Sequence, residues 1–134
     1  ERVHSLPVNE DAAIDQFYKL PSQLSENNIL FCLAYNGDME AMGTRNLPFA
    51  AGTAVAYGLD MEKAIASISL NTSIILGIEK TTGSIEIGKN ATFFISSGDA
   101  LDMRTNNIEL SFIKGIPVNL NNHQKELFEK YKNR

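Results

Sequence analysis

The sequence predicts an α/β fold, on three observations. Ile29 to Tyr35 is continuously apolar, the pattern of a strand buried on both faces, as in a parallel sheet flanked by helices. Met61, Ala64, Ile65 and Ile68 fall at i, i+3, i+4 and i+7, which lays one apolar stripe along a helix. After Gly88 the period changes, and Ile108, Leu110 and Phe112 alternate with Glu109 and Ser111 as a half-exposed strand does. Residues up to about Gly77 therefore read as strand–helix units, and Gly83 to Leu120 as a small sheet.

Composition narrows the classes of function. The chain has 134 residues, 43% of them hydrophobic, enough to bury one modest core. A net charge of -4 with scattered lysines leaves no footprint for nucleic acid. No apolar run approaches the length of a membrane span, so neither nucleic acid nor membrane is expected as a partner. The single cysteine, Cys32, has no internal disulfide partner, and its place in the apolar run predicts a buried small hydrophobe. The first residue is Glu1 and no signal peptide is apparent, so the chain is expected to be cut from something longer. Its compartment cannot be read.

The elements follow in order. Val3 to Leu6 reads as a short strand ended by Pro7, and Asn9-Glu10-Asp11 as the loop after it. Tyr18 to Glu26 reads as a helix with Pro21 in its first turn, stopped by Asn27-Asn28. The loop Asn36 to Arg45 is polar. Asn46 is placed to cap a helix running through Leu47, Phe49, Ala51 and Val55 to Gly58, with small residues that allow close packing. Asp60 is placed to cap the next helix, with Glu62 favourable in its first turn. Asn71 to Gly77 reads as a short helical turn closed by glycine. Ala91 to Ser96 reads as a buried strand. Lys114-Gly115 joins the strand at Ile108 to Phe112 to a second at Ile116 to Leu120, and Pro117 puts that second strand at an edge or bulge. From Asn122 a polar helix follows, whose Leu127, Phe128 and Tyr131 are expected to dock on the body.

Few residues can carry chemistry. The two histidines, His4 and His123, lie at opposite ends without a partner at metal-ligand spacing. His123 reads as a surface helix residue, and His4, at a strand end, as structural, with a catalytic role at that strand end the competing reading. Asp38 and Glu40 follow the apolar run, and a carboxylate just after a parallel strand is well placed as a ligand or general base. Asp38 is the candidate catalytic residue; the competing reading is a solvated turn acid. Arg45 could meet a substrate carboxylate or an exposed salt bridge equally well. Gly83 to Lys89 has the form of a glycine-rich loop, but it precedes a strand, whereas phosphate cradles precede a helix. Its glycines read as turn residues.

Several segments taken together carry a resemblance: Gly58-Leu59-Asp60-Met61-Glu62, then Ser69-Leu70-Asn71-Thr72-Ser73-Ile74-Ile75-Leu76-Gly77. Gly83-Ser84-Ile85-Glu86-Ile87-Gly88-Lys89-Asn90-Ala91-Thr92 follows, and Gly98-Asp99-Ala100-Leu101-Asp102 after it. In this wording and order the chain resembles the C-terminal end of metal-dependent amidohydrolases, the superfamily of imidazolonepropionases, dihydroorotases and adenosine deaminase-like hydrolases. The resemblance implies the last strand–helix units of a TIM-type barrel plus strands of a small β-sandwich. It divides the chain into residues 1–77 of the barrel, 78–120 of the sandwich and a C-terminal helix at 121–134. It also implies a parent that hydrolyses C–N bonds with a divalent metal such as zinc.

The family's metal-binding histidines should lie upstream, so no cofactor is expected within this fragment and no activity from it alone. The expected partners are the remainder of the parent chain and, with apolar surface left exposed, further copies. The family's last barrel strand ends near Gly-Thr-Asp. Direct alignment puts Asn36 at that aspartate, and a two-residue shift puts Asp38 there. Thr72 and Ser73 replace the family's proline and alanine, and Thr92 its aspartate. A non-catalytic binding or structural module on the same fold is the alternative.

Overall fold

The computed structural model describes residues 6–7, 9–35 and 40–132. The opening strand expected at Val3 to Leu6, His4, and Asn36 to Asp38 lie outside them. The described part is an α/β arrangement of a helical layer and one small sheet.

Helix α1 spans Gln16–Glu26, two residues earlier than the sequence suggested. Pro21 therefore sits in the helix interior, where it removes one intrahelical donor, and not in the first turn. The expected polar loop before α2 is in part a 3-10 helix, Glu40–Asn46. Helix α2, Leu47–Ala56, carries Pro48 in its first turn, and Asn46 holds the N-cap position without a side-chain bond. Its end is set by Gly58, whose φ of +104° suits glycine. Gly58 N donates to Val55 O and Leu59 N to Ala54 O, both at 3.0 Å, a Schellman closure.

Helix α3, Met61–Ser67, is capped as expected: Asp60 Oδ1 accepts from Lys63 N at 3.1 Å. Its stripe is only half used, since Ala64 and Ile68 meet the core while Met61 and Ile65 stay exposed. Helix α4, Leu70–Ile75, closes the same way as α2. Gly77, at φ +70°, donates to Ile74 O, and Ile78 N donates to Ser73 O at 2.9 Å. The core is small: Ala51, Ala54, Leu59, Ala64 and Leu101, with Phe31, Leu33, Val55 and Ile68 against it.

The sheet has three strands in the order β1-β2-β3, with β1 Phe93–Ser96, β2 Ile108–Ile113 and β3 Ile116–Pro117, all antiparallel. Lys114 and Gly115 turn the hairpin, both at positive φ (51° and 79°), the type I′ geometry that matches strand twist. Phe93 and Phe112 face each other across β1 and β2, ring centroids 5.1 Å apart. β1 is shorter than expected and half exposed, and Leu110 faces solvent. β3 is only two residues, because Pro117 cannot donate to a ladder. The C-terminal helix α5, His123–Tyr131, is capped by Asn122, whose Oδ1 accepts from Lys125 N at 3.0 Å. None of its residues is buried, so Leu127, Phe128 and Tyr131 are not sunk into the body as the sequence suggested.

The largest departure concerns Ile29 to Tyr35. It is neither helix nor strand, and Ile29 and Leu30 are half exposed. The apolar run asks for cover on two sides, and the described residues supply one. Phe31 and Leu33 lie on the helices, and Cys32 is only half buried.

Candidate functional site

The segment that leads to Asp38 is held in place from below. Leu33 N donates to Ser67 O at 3.1 Å, and Asn71 Nδ2 donates to Phe31 O at 3.0 Å. Both acceptor and donor partners come from the α3–α4 corner. At the far end the ring of Tyr35 stands over Gly43, so close that a Cβ on Gly43 would meet it at 3.1 Å. Asp38 and its alignment rival Asn36 lie outside the described residues, between Tyr35 and the 3-10 helix in sequence. Arg45, at the end of the 3-10 helix, is exposed.

The sequence singled out Asn71 only as part of a motif. Its partner is 40 residues away, so its tethering role had no local signal.

The glycine-rich loop is occupied by its own side chains. Lys89 Nζ donates to Ser84 Oγ at 2.5 Å and to Glu86 Oε1 at 3.1 Å, and Ser84 Oγ donates to the same carboxylate at 2.5 Å. The Ser84 and Lys89 contacts hold the Glu86 carboxyl below the usual glutamate range. The loop's one lysine ammonium is therefore already satisfied by the turn, which agrees with the glycines being turn residues. Gly83 is at φ +96° and presses on α4, where an added Cβ would fall 2.2 Å from Ser73 Oγ.

A cavity of about 370 Å³ lies between α2 and the loop after β1, lined by Phe49, Val55, Met61, Leu101 and Met103 with Asp99 and Asp102. Both carboxylates are spent on the loop itself. Asp99 Oδ1 accepts from Leu101 N at 2.8 Å, and Asp102 Oδ1 from Arg104 N at 3.0 Å. That backbone bond is the main reason the Asp102 carboxyl sits below its ordinary value. These are turn-forming contacts that push Leu101 into the core.

Among the described residues no group of three or more His, Cys, Asp or Glu side chains is arranged to hold a metal ion.

A profile of the amidohydrolase family matches residues 2–121, and the chain belongs to that family. It is 38% identical over 56 residues to the imidazolonepropionase of Syntrophobacter fumaroxidans (strain DSM 10017 / MPOB), a match covering 41% of this chain and 13% of that protein. Its fold is similar to the crystal structure of an amidohydrolase from Thermotoga maritima MSB8, with a TM-score of 0.65 and 26% identity. That likeness covers 83% of this chain and 29% of the other. The matches thus cover 13% of the first relative and 29% of the second.

Proposed function

We propose that this chain is the C-terminal part of an amidohydrolase, an enzyme that hydrolyses C–N bonds, often in cyclic amides. In this reading it supplies the last strand–helix units of a TIM-type barrel and strands of a small β-sandwich. The observation that carries the reading is Ile29 to Tyr35: an apolar run anchored to helices through Phe31 and Leu33, half exposed at Ile29 and Leu30, and followed in sequence by Asp38. A segment covered on one side only is what a barrel strand becomes when its neighbours lie in other parts of the protein. The likeness to the Thermotoga amidohydrolase, over most of this chain but a minority of that one, supports the same reading.

Asp38 would stand at the carboxyl end of that strand, where barrel enzymes place their chemistry. Its carboxylate would take a proton from the attacking water and return it to the leaving nitrogen. A divalent metal such as zinc belongs to the whole enzyme, with ligands from segments outside this chain, so the chain alone is inactive. The remainder of the parent chain is its partner. The cyclic-amide class is the one favoured by the likeness to an imidazolonepropionase.

Asn36 favours a second reading. If direct alignment holds, an amide occupies the family's aspartate position, and an amide cannot act as a base. The fold would then serve as a non-catalytic binding or structural module. The two readings separate on the full-length product of the gene. Its metal content and its turnover of cyclic amides and dipeptides should both be substantial for the hydrolase. A metal-free protein without turnover would leave only the module.

A further inference from the structure

Helix α5, His123–Tyr131, follows the stretch that the family profile matches, residues 2–121. It has nine residues and none of them is buried. Isolated helices shorter than about 12–15 residues are marginal in water, so this one needs a surface. Leu127, Phe128 and Tyr131 fall at i, i+1 and i+4 and share one face. At 3.6 residues per turn, Lys125 and Lys132 border that face on one side. Lys130 borders it on the other, its Nζ 5.3 Å from the centroid of the Tyr131 ring. Glu126 and Glu129 point away from the face and are held by Asn121 and Lys132.

The groove between α2 and the loop after β1 has the complementary chemistry. Phe49, Met61, Leu101 and Met103 give it apolar walls, and Asp99 and Asp102 stand among them. Each carboxylate uses one oxygen on a backbone N–H of its own turn, which satisfies an acceptor and leaves the charge in place. Arg104 Nε lies 3.7 Å from Asp102, and among the described residues no cation pairs with Asp99. None of the groove's lining residues belongs to α5, so the helix does not fill the groove of its own copy.

We propose that α5 of one copy docks in this groove of a second copy, and reciprocally, so that the protein pairs by exchanging its C-terminal helices. Charge complementarity is the argument for that occupant. An apolar helix face bordered by lysines meets an apolar groove that carries aspartates, the helix-in-groove mode of recognition. Leu127, Phe128 and Tyr131 enter between Phe49, Met61 and Met103, while Lys125 or Lys130 reaches Asp99. A two-fold exchange fills both grooves and covers both helices, so the assembly closes at two copies.

Sedimentation of the full-length gene product over a series of concentrations tests the proposal. Two variants are used, Phe128→Glu on the helix and Met103→Lys in the groove. Phe128 is 66% and Met103 69% exposed, so neither change opens the core. The unaltered protein should be a dimer, and each variant alone should dimerise at least about tenfold more weakly, since each puts a charge into an apolar contact. Mixed in equal amounts, the two should return to the dimer. The glutamate of one copy then meets the lysine of the other, and the second helix and groove of the pair are both unaltered. A dimer that persists in both variants overturns the proposal, because the copies then meet elsewhere. Loss in both without recovery on mixing overturns the pairing of helix with groove. A monomeric unaltered protein overturns the exchange, and the helix and the groove are then covered within one chain.

Discussion

Asn71 donates from Nδ2 to the carbonyl oxygen of Phe31 at 3.0 Å, tying the α4 helix to an apolar segment 40 residues earlier. With Leu33 N on Ser67 O it holds the backbone of Phe31 and Leu33 on the α3–α4 corner. Replacing Asn71 by Ala removes the donor and leaves a part-buried carbonyl seeking water. The expected cost is about 1 kcal/mol, the usual net worth of such a bond. Urea denaturation checks it, and a midpoint equal to that of the unaltered chain would mean the tether contributes nothing.

Gly52 and Leu101 make a further long-range contact. A Cβ on Gly52 would lie 2.2 Å from the Leu101 carbonyl oxygen, so helix α2 and the loop after β1 meet backbone to backbone. The Gly52→Ala variant must push the loop away and lift Leu101 from the core. We expect a loss of about 1–3 kcal/mol, the range for overpacking, seen as a lower thermal midpoint. Equal stability would show that the loop moves freely.

Lys114 offers the opposite sign. It holds φ +51° in a type I′ turn, a conformation that costs a side-chain-bearing residue roughly 1–2 kcal/mol. Asparagine tolerates it far better, and Asn-Gly is the preferred pair there. Lys114→Asn should therefore raise stability by up to about 1 kcal/mol, while keeping the bond from the residue 114 amide to Thr92 Oγ1. A lowered denaturation midpoint would contradict this.

The Glu86 carboxyl is held below the usual glutamate value first by the Ser84 hydrogen bond, then by Lys89. A depressed folded-state value means the contribution is present above the unfolded glutamate pKa, about 4.3. It fades as pH falls through the lower folded value. The carboxyl carbon of Glu86, followed by NMR, should titrate below the ordinary midpoint, and Ser84→Ala should move it back up. A midpoint at or above the ordinary value in the unaltered chain would remove the loop network from the picture.

What could be read from the sequence was whatever a few neighbouring residues decide. Asp60 caps α3, Gly58 and Gly77 close their helices at positive φ, and Lys114-Gly115 turns the hairpin, each by local sterics or one nearby bond. What could not be read depends on distant partners. The run Ile29 to Tyr35 signals burial, but a strand exists only where a neighbouring strand pairs with it. Leu101 sits between two aspartates in a loop and looks exposed, yet it is buried because Gly52 leaves room for its backbone. The burial expected of α5 in the body failed for the same reason: an amphipathic helix states that it needs a surface, not which one. The tethers of Phe31 and Leu33 through Asn71 and Ser67 likewise had no local signal.

The choice between Asn36 and Asp38 can be made by paired substitutions in the full-length protein. If Asp38 handles the proton of the attacking water, Asp38→Asn keeps the size and polarity of the side chain and removes only its basicity. Loss of a general base costs about 10²–10⁴ in rate, and it should fall on kcat and kcat/KM alike, because the group acts in the transition state and not in binding. Asn36→Ala should then change kcat by less than about threefold, the scale of a bystander contact. If instead Asn36 holds the family position, Asp38→Asn leaves the rates nearly intact. In that case Asn36→Asp, which installs a carboxylate at that place, should create or raise turnover. Steady-state kinetics on one cyclic amide therefore give opposite patterns for the two assignments. Unchanged turnover in all three variants would remove both residues from the chemistry.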